Sequence, residues 1–242
     1  MLGHNFMLCK IADLLVEVPE AGGMPPRCQA YLYNEIADPD IVIFEDRYDG
    51  HPDSMHLKPD SRAYMESGRQ FCAKLLEFNG FYLHSSAVAL DGRAYLFSAD
   101  SGVGKSTHTR LWKQVFGDRA QVFNDDKPAL RYIDGSWYAY GTPWCGKDGI
   151  NINMKVPVAG ICFLKRGEHN SIRPLNAKEA LIRILPQTIY RFGKPRRADL
   201  LLTHINRLLE RIPIFELENR PEPEAVLLSY ETMRSKAEGM DI

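Results

Sequence analysis

The stretch Ala99-Asp100-Ser101-Gly102-Val103-Gly104-Lys105-Ser106-Thr107 constrains this chain more than any other. It follows the pattern G-x-x-x-x-G-K-[ST], with Ala99 where the first glycine stands. Gly102 and Gly104 lack a Cβ and can take positive φ, so a loop can close tightly around an anion. From Asp100 to Thr107 its N–H groups are expected to point inward as an anion nest. Lys105 supplies a mobile cation for β- and γ-phosphates, and Ser106 a hydroxyl suited to Mg²⁺. The flanks fit. Ala94 to Phe97 is an apolar run that reads as a strand, and Thr107 to Phe116 reads as a helix stopped by Gly117. Strand, loop, helix is the setting the motif needs, with the helix's positive end aimed at the anion.

The strand entering this loop has a sequence neighbour. Tyr82 to Leu90 and Arg93 to Ala99 are joined by Asp91-Gly92, a strong two-residue hairpin signal. Ala129 to Ile133 and Ser136 to Tyr140 repeat it around Asp134-Gly135. An antiparallel partner beside the loop departs from the parallel crossovers of ordinary α/β sheets.

Residues 1–60 read as a small β-rich N-terminal part. Ile11 to Val18 and Ile41 to Glu45 are expected strands, with Ala21 to Pro26 a loop between them and a second loop between Pro52 and Pro59. Residues 61–242 read as the main domain, opened by a helix over Ser61 to Phe78 that stops at Gly80. Later come strands at Ala120 to Phe123, Val156 to Leu164, Ile172 to Leu175 and Ile214 to Leu217. Helices are expected from a cap at Asn176 with Glu179 to a stop at Pro186, over Arg197 to Arg211, and over Glu222 to Lys236.

Composition excludes several classes. A net charge of −1 gives no global field for nucleic acid or a membrane surface, and the basic run Lys194 to Arg197 reads as a solvated face. No apolar stretch approaches the roughly 20 residues of a membrane helix. Met1 to Lys10 lacks the pattern of a secretory signal. The five cysteines are odd in number and dispersed, which suits reduced thiols in a cytoplasm.

Chemistry needs more than the loop. Asn124-Asp125-Asp126 follows the strand after the loop's helix, whose end is expected beside the loop. Successive strand residues point to opposite sides, so one acid can face a nucleophile and the other a metal. His84, on the strand that hairpins into the loop, is a candidate to carry a proton, whereas His108 reads as surface. Gly141 to Gly149 is a second glycine-rich loop. Its Trp144 and Lys147 are candidates to cover an acceptor, against the alternative that Trp144 packs on its own domain.

Leu83-His84-Ser85-Ser86, the 99–107 loop and Asn124-Asp125-Asp126 together resemble the HPr kinase/phosphorylase family in order and spacing. The resemblance covers about Phe81 to Leu164. It implies a fold class: α/β, the mixed-sheet P-loop fold shared with the ATP-dependent phosphoenolpyruvate carboxykinases. It implies an active site of His84, Lys105, Ser106, Asp125 and Asp126. In that family the first aspartate is the base on the acceptor serine, here Asp125, and the second supports Mg²⁺, here Asp126 with Ser106. The chain departs from the family at Ala99, at Thr107 where the family carries an acid, at Gly141 to Lys147, and in its N-terminal part.

The expected function is therefore ATP- and Mg²⁺-dependent phosphoryl transfer to a hydroxyl, with a serine of a protein or peptide favoured as acceptor. A small-molecule acceptor such as free serine is the alternative within that class. Outside it stands a nucleotide-gated binding protein that transfers nothing. No nucleic-acid or membrane partner is expected, and self-association is left open.

Overall fold

The computed structural model describes residues 5–45, 56–188 and 195–239. Pro52 and Lys194, singled out above, lie outside them. The chain is mixed α/β. Its elements are β1 (Phe6–Ile11), β2 (Leu14–Pro19), α1 (Met24–Cys28), β3 (Ile41–Val42), α2 (Pro59–Leu75), β4 (Gly80–Tyr82), β5 (Ser85–Leu90), β6 (Arg93–Ser98), α3 (Lys105–Phe116), β7 (Gln121–Asp126), β8 (Ala129–Ile133), β9 (Ser136–Tyr140), β10 (Lys155–Arg166), β11 (Ser171–Pro174), α4 (Ala177–Ile184), α5 (Pro195–Leu209), β12 (Ile214–Asn219) and α6 (Pro223–Glu238).

A curled nine-stranded sheet forms the frame, in the order β4-β8-β9-β10-β6-β5-β7. β12 joins it along the last six residues of β10 and carries β11. β6 runs parallel to β10, whereas β5 is antiparallel to both β6 and β7. Both expected hairpins form. Asp91 and Gly92 take φ of 50° and 75°, and Asp134 and Gly135 take 49° and 85°, the pair of positive values that a tight primed turn requires. The Asn176–Glu179 capping box also forms, with each side chain bonded to the other's backbone N–H.

Several expectations change. Met24 to Pro26 begin α1 and are not loop, and the strand expected over Ile41 to Glu45 is reduced to Ile41–Val42. Ile11 to Val18 is a hairpin and not one strand, because Ala12 and Asp13 turn the chain at φ 53° and 59°. Left-handed backbone costs an L-residue roughly 1–2 kcal/mol. Here it is offset from outside: Arg131 Nη1 donates to Ala12 O at 2.6 Å, while Tyr140 OH and Lys155 Nζ donate to Asp13 Oδ2 at 2.8 and 2.9 Å. Tyr82 to Leu90 splits, because β4 pairs with β8 whereas β5 lies between β6 and β7. α2 runs into a 3-10 turn capped by Asn79 in the left-handed region, one residue before the expected stop at Gly80. Gly80 has a different job: a Cβ there would stand 2.6 Å from Leu130 O.

The small sheet β1-β2-β3 is not packed alone. Met7, Val16, Met24, Tyr31 and Ile43 share one apolar cluster with Phe71 and Leu75 of α2 and with Ala129, Tyr140 and Trp144. Burying side chains of this size contributes roughly 1.5–3 kcal/mol each. The N-terminal sheet is thereby tied to the far end of the loop that carries Trp144.

Candidate functional site

The site forms where β6 and β7 end and the antiparallel β5 begins, with Ser85 opposite both Ser98 and Asp126. β5 separates β6, which feeds the 99–107 loop, from β7, which carries the acids. α3 returns the chain across this gap, so the end of β7 faces the start of α3. Gly102 and Gly104 take φ of 79° and 125°, and beyond their chain neighbours nothing lies within 4 Å of where their Cβ atoms would be. The loop thus leaves open space above α3, as an anion would need. Lys105 Nζ lies across the mouth, donating to Ala99 O at 2.8 Å and more weakly to Asp100 O at 3.4 Å. Burial holds the Lys105 ammonium below its ordinary range, against the pull of Asp126, Asp125 and Asp100.

Asp125 and Asp126 end β7 itself, and their side chains divide as alternation requires. Asp125 is buried. It accepts from Ser106 Oγ at 2.8 Å through Oδ2, and from Ser86 Oγ through Oδ1. Asp126 faces the other way, toward Lys127 Nζ at 2.5 Å, Tyr64 OH at 3.1 Å and His84 Nε2 at 3.3 Å. These contacts run opposite to the expected division of labour. The carboxylate beside the Ser106 hydroxyl belongs to Asp125, and the one among proton carriers belongs to Asp126. Asp126 also sits at φ 112°, a backbone region nearly reserved for glycine and worth roughly 1–3 kcal/mol of strain. Its surroundings over-determine that geometry. Tyr64 OH accepts from Gly146 N at 2.9 Å while donating to Asp126.

His84 is fixed on both sides. Its backbone N donates to Gln187 O at 2.7 Å, and its Nδ1 pairs with Gln187 Oε1 at 3.0 Å. Gln187 Nε2 donates to Asp100 Oδ1 at 3.0 Å, which orients the amide so that Oε1 accepts from His84 Nδ1–H. The neutral ring therefore turns an Nε2 lone pair toward Asp126, and a hydrogen bond between them closes only with a proton on one of the two. Burial, with Lys105 and Lys127 nearby, lowers the histidine's pKa, while Asp126 and Gln187 oppose the shift. Asp126, His84, Gln187 and Asp100 form one polar chain from the acids to the loop.

Lys105, Ser106, Asp125, Asp126, His84 and exposed Lys147 line a common cavity of about 490 Å³, together with Ser101, Gly102, Gly104 and Thr107. Val103 faces a second cavity of about 620 Å³ on the outer side of the loop. A larger cavity, about 690 Å³, lies beside the hairpin turns at Gly92 and Gly135 and gathers none of these groups.

Trp144 does not line the 490 Å³ cavity and is not on its surface. It is 1% exposed, stacked on Phe71 at 4.7 Å, and its Nε1 donates to Ser67 Oγ at 3.1 Å. Its ring is an anchor, because apolar contact beneath the loop outweighs exposure at its crest. His108 is likewise buried and not on the surface, accepting from Trp112 Nε1 at 3.2 Å, and burial pushes its pKa down to about 4. Three contributors carried no sequence signal: Tyr64 from α2, Gln187 after α4, and Arg27 from α1. Arg27 Nη1 donates to Cys145 Sγ at 3.0 Å and Gly146 O at 3.1 Å, with its guanidinium 4.7 Å from the Tyr64 ring centre. Lys127 had adjacency to the acids as its only hint.

The donor set has a chemical bias. No group of three or more His, Cys, Asp or Glu able to hold a metal occurs among the described residues. Ser106 and Asp125 offer oxygen alone, which fits Mg²⁺, a hard cation that completes its shell with water and phosphate oxygens.

No curated protein matches the chain. Among solved structures, the HPr(Ser) kinase/phosphatase from Coxiella burnetii is similar over 66% of this chain and 94% of that one, at 15% identity and a TM-score of 0.38. That is a distant likeness of fold. No helix among the described residues is long and apolar enough to cross a membrane. A family model described as SynChlorMet cassette protein ScmC matches residues 66–218, more than half of the chain. The chain belongs to the ScmC family.

Proposed function

We propose that this protein transfers the γ-phosphoryl group of ATP to a hydroxyl, with the 99–107 segment acting as a P-loop. One observation carries the reading. Lys105, Ser106, both aspartates and His84 come from three chain segments yet open onto one cavity at the mouth of a glycine-rich loop. Such transfer asks a protein for positioning and charge neutralisation more than for covalent chemistry.

Roles follow from contacts. The 99–107 backbone and α3 hold the phosphates, and Lys105 leaves the Ala99 and Asp100 carbonyls to meet them. Ser106 and Asp125 would hold Mg²⁺. When bound, the metal supplies charge neutralisation at the β- and γ-phosphates. Asp126 takes the proton from the acceptor hydroxyl, and His84 stands at 3.3 Å to share it. Lys127 and Tyr64 hold Asp126 in place for that step. Lys147, exposed at the cavity's rim, faces the acceptor side. A serine side chain, on a peptide or protein or free, is the acceptor chemistry that suits a base of this reach.

The test is transfer itself. Purified protein with Mg²⁺ and γ-labelled ATP is offered a cell extract, a serine-containing peptide pool and free serine. Label on a serine hydroxyl in any arm, absent with Lys105→Ala, supports the reading. Nucleotide binding without transfer in every arm overturns it in favour of a nucleotide-gated binding protein.

A further inference from the structure

We infer that Arg166 is a positioning residue that presets the 99–107 loop for an anion by holding its carbonyls outward. The inference rests on the function proposed above and concerns a residue that touches the opposite face of the loop from the aspartates. β10 runs parallel to β6 with Phe163 beside Ser98. The last residues of β10 therefore run alongside the start of the loop. There Arg166 Nη2 donates to Gly102 O at 2.5 Å, and Nε approaches Val103 O at 3.5 Å.

A peptide unit is planar and trans, so its C=O and N–H point in opposite directions. Drawing the Gly102 carbonyl out turns the Val103 N–H in. That N–H meets Asp100 O at 3.3 Å, the same oxygen that Lys105 Nζ approaches at 3.4 Å. Two donors thus converge on one oxygen inside the loop through bonds at the long end of the range. A phosphate oxygen, carrying full charge, competes well for both. The next peptide repeats the logic more weakly: Val103 O toward Arg166 sends the Gly104 N–H inward. Arg166 suits this task because one planar guanidinium can serve two neighbouring carbonyls, which a lysine ammonium does less well.

The experiment uses the full chain with inorganic tripolyphosphate and Mg²⁺ as probe, titrated by calorimetry, and measures amide hydrogen exchange at Val103 and Gly104 without ligand. Arg166→Ala is expected to weaken tripolyphosphate binding about tenfold, the worth of one charge-assisted hydrogen bond. Exchange should quicken at Val103 and Gly104, while amides of β6 and α3 keep parent protection, which shows the fold intact. Arg166→Lys should remain weak. Parent affinity in Arg166→Ala, or full restoration by Arg166→Lys, overturns the inference, the second outcome marking Arg166 as a simple charge. If the parent binds no tripolyphosphate, the proposed function falls; unchanged exchange in Arg166→Ala then overturns the positioning role, and quickened exchange upholds it.

Discussion

The chain contains two loops that look alike in sequence and differ in kind. Residues 99–107 and 141–149 are both glycine-rich and both carry a lysine. The difference lies in what surrounds their glycines. At Gly102 and Gly104 an added Cβ meets nothing within 4 Å beyond the chain neighbours, so the space over them is open, as it also is at Gly149 near the crest of the second loop. At Gly141 it would stand 1.8 Å from Ile152 O, and at Gly146 3.1 Å from Asp126 Cβ. Those two let the protein's own chain approach itself. The first loop is open, as the phosphate-binding role proposed for it requires. The second is fastened by Trp144, by Thr142 Oγ1 donating to Lys127 O at 2.7 Å, and by Asn124 Nδ2 donating to Thr142 O at 2.9 Å. Its service to the site is indirect: it presses on Asp126 and leaves only Lys147 and its neighbours exposed.

The largest effect should come from breaking the fastened loop. Trp144→Ala removes a buried aromatic with its stack on Phe71 and its bond to Ser67, and is expected to cost about 3–5 kcal/mol of stability. Urea unfolding measures this. An unchanged midpoint together with lost transfer would return Trp144 to the acceptor surface and dissolve the contrast. In the open loop the damage should be to chemistry. Lys105→Ala is expected to unfold at the parent's urea midpoint within about 0.5 kcal/mol, as a partly solvated side chain with local contacts. It should lose roughly 10²–10³ in transfer rate. A variant that turns over ATP like the parent removes the phosphate-binding reading of the loop.

This contrast also explains what could be read in advance. Both Asp-Gly hairpins and the glycine-lysine pattern of the 99–107 loop are local: the residues that permit these backbone shapes are adjacent in the chain, so the sequence displays them, although the Arg166 contact on the loop's carbonyls comes from β10. The Ala12-Asp13 turn is held by Arg131, Tyr140 and Lys155, far away in sequence, and displays nothing. The same holds within the site. His84, Lys105, Asp125 and Asp126 stand in recognisable strings, whereas Tyr64, Arg27 and Gln187 arrive by tertiary packing from three other elements. Even the recognised pair was legible in identity and not in orientation. Alternation says that the two acids diverge; the placement of β5 between β6 and β7 decides which of them meets Ser106.

That orientation gives the next test. Asp126→Asn should keep nucleotide affinity and lose about 10²-fold in transfer, since an amide cannot accept the acceptor's proton. Asp125→Asn should instead raise the Mg²⁺ concentration needed for half-maximal transfer. Titrating Mg²⁺ against transfer rate in both variants separates the roles. If Asp126→Asn shifts the Mg²⁺ requirement while Asp125→Asn leaves it alone, the assignment reverses.

The smallest expected effect concerns an ion pair that joins the helix of the open loop to the fastened loop. Arg110 of α3 reaches Asp148, which lines the cavity, at 2.6 Å. The geometry is short, but the side chains are 62% and 39% exposed, so water and salt screen the attraction. An exposed pair of this kind is worth about 0–1 kcal/mol. A double-mutant cycle on Arg110→Ala and Asp148→Ala, read by urea unfolding, should give a coupling in that range that fades at high salt. Independence of the two loops depends on this weakness. A coupling above about 2 kcal/mol that survives salt would mean that the loops move as one body, with the crest of the fastened loop as part of the phosphate site. A weak coupling leaves the crest free to yield when an acceptor enters, while Trp144 holds the base of the loop in place.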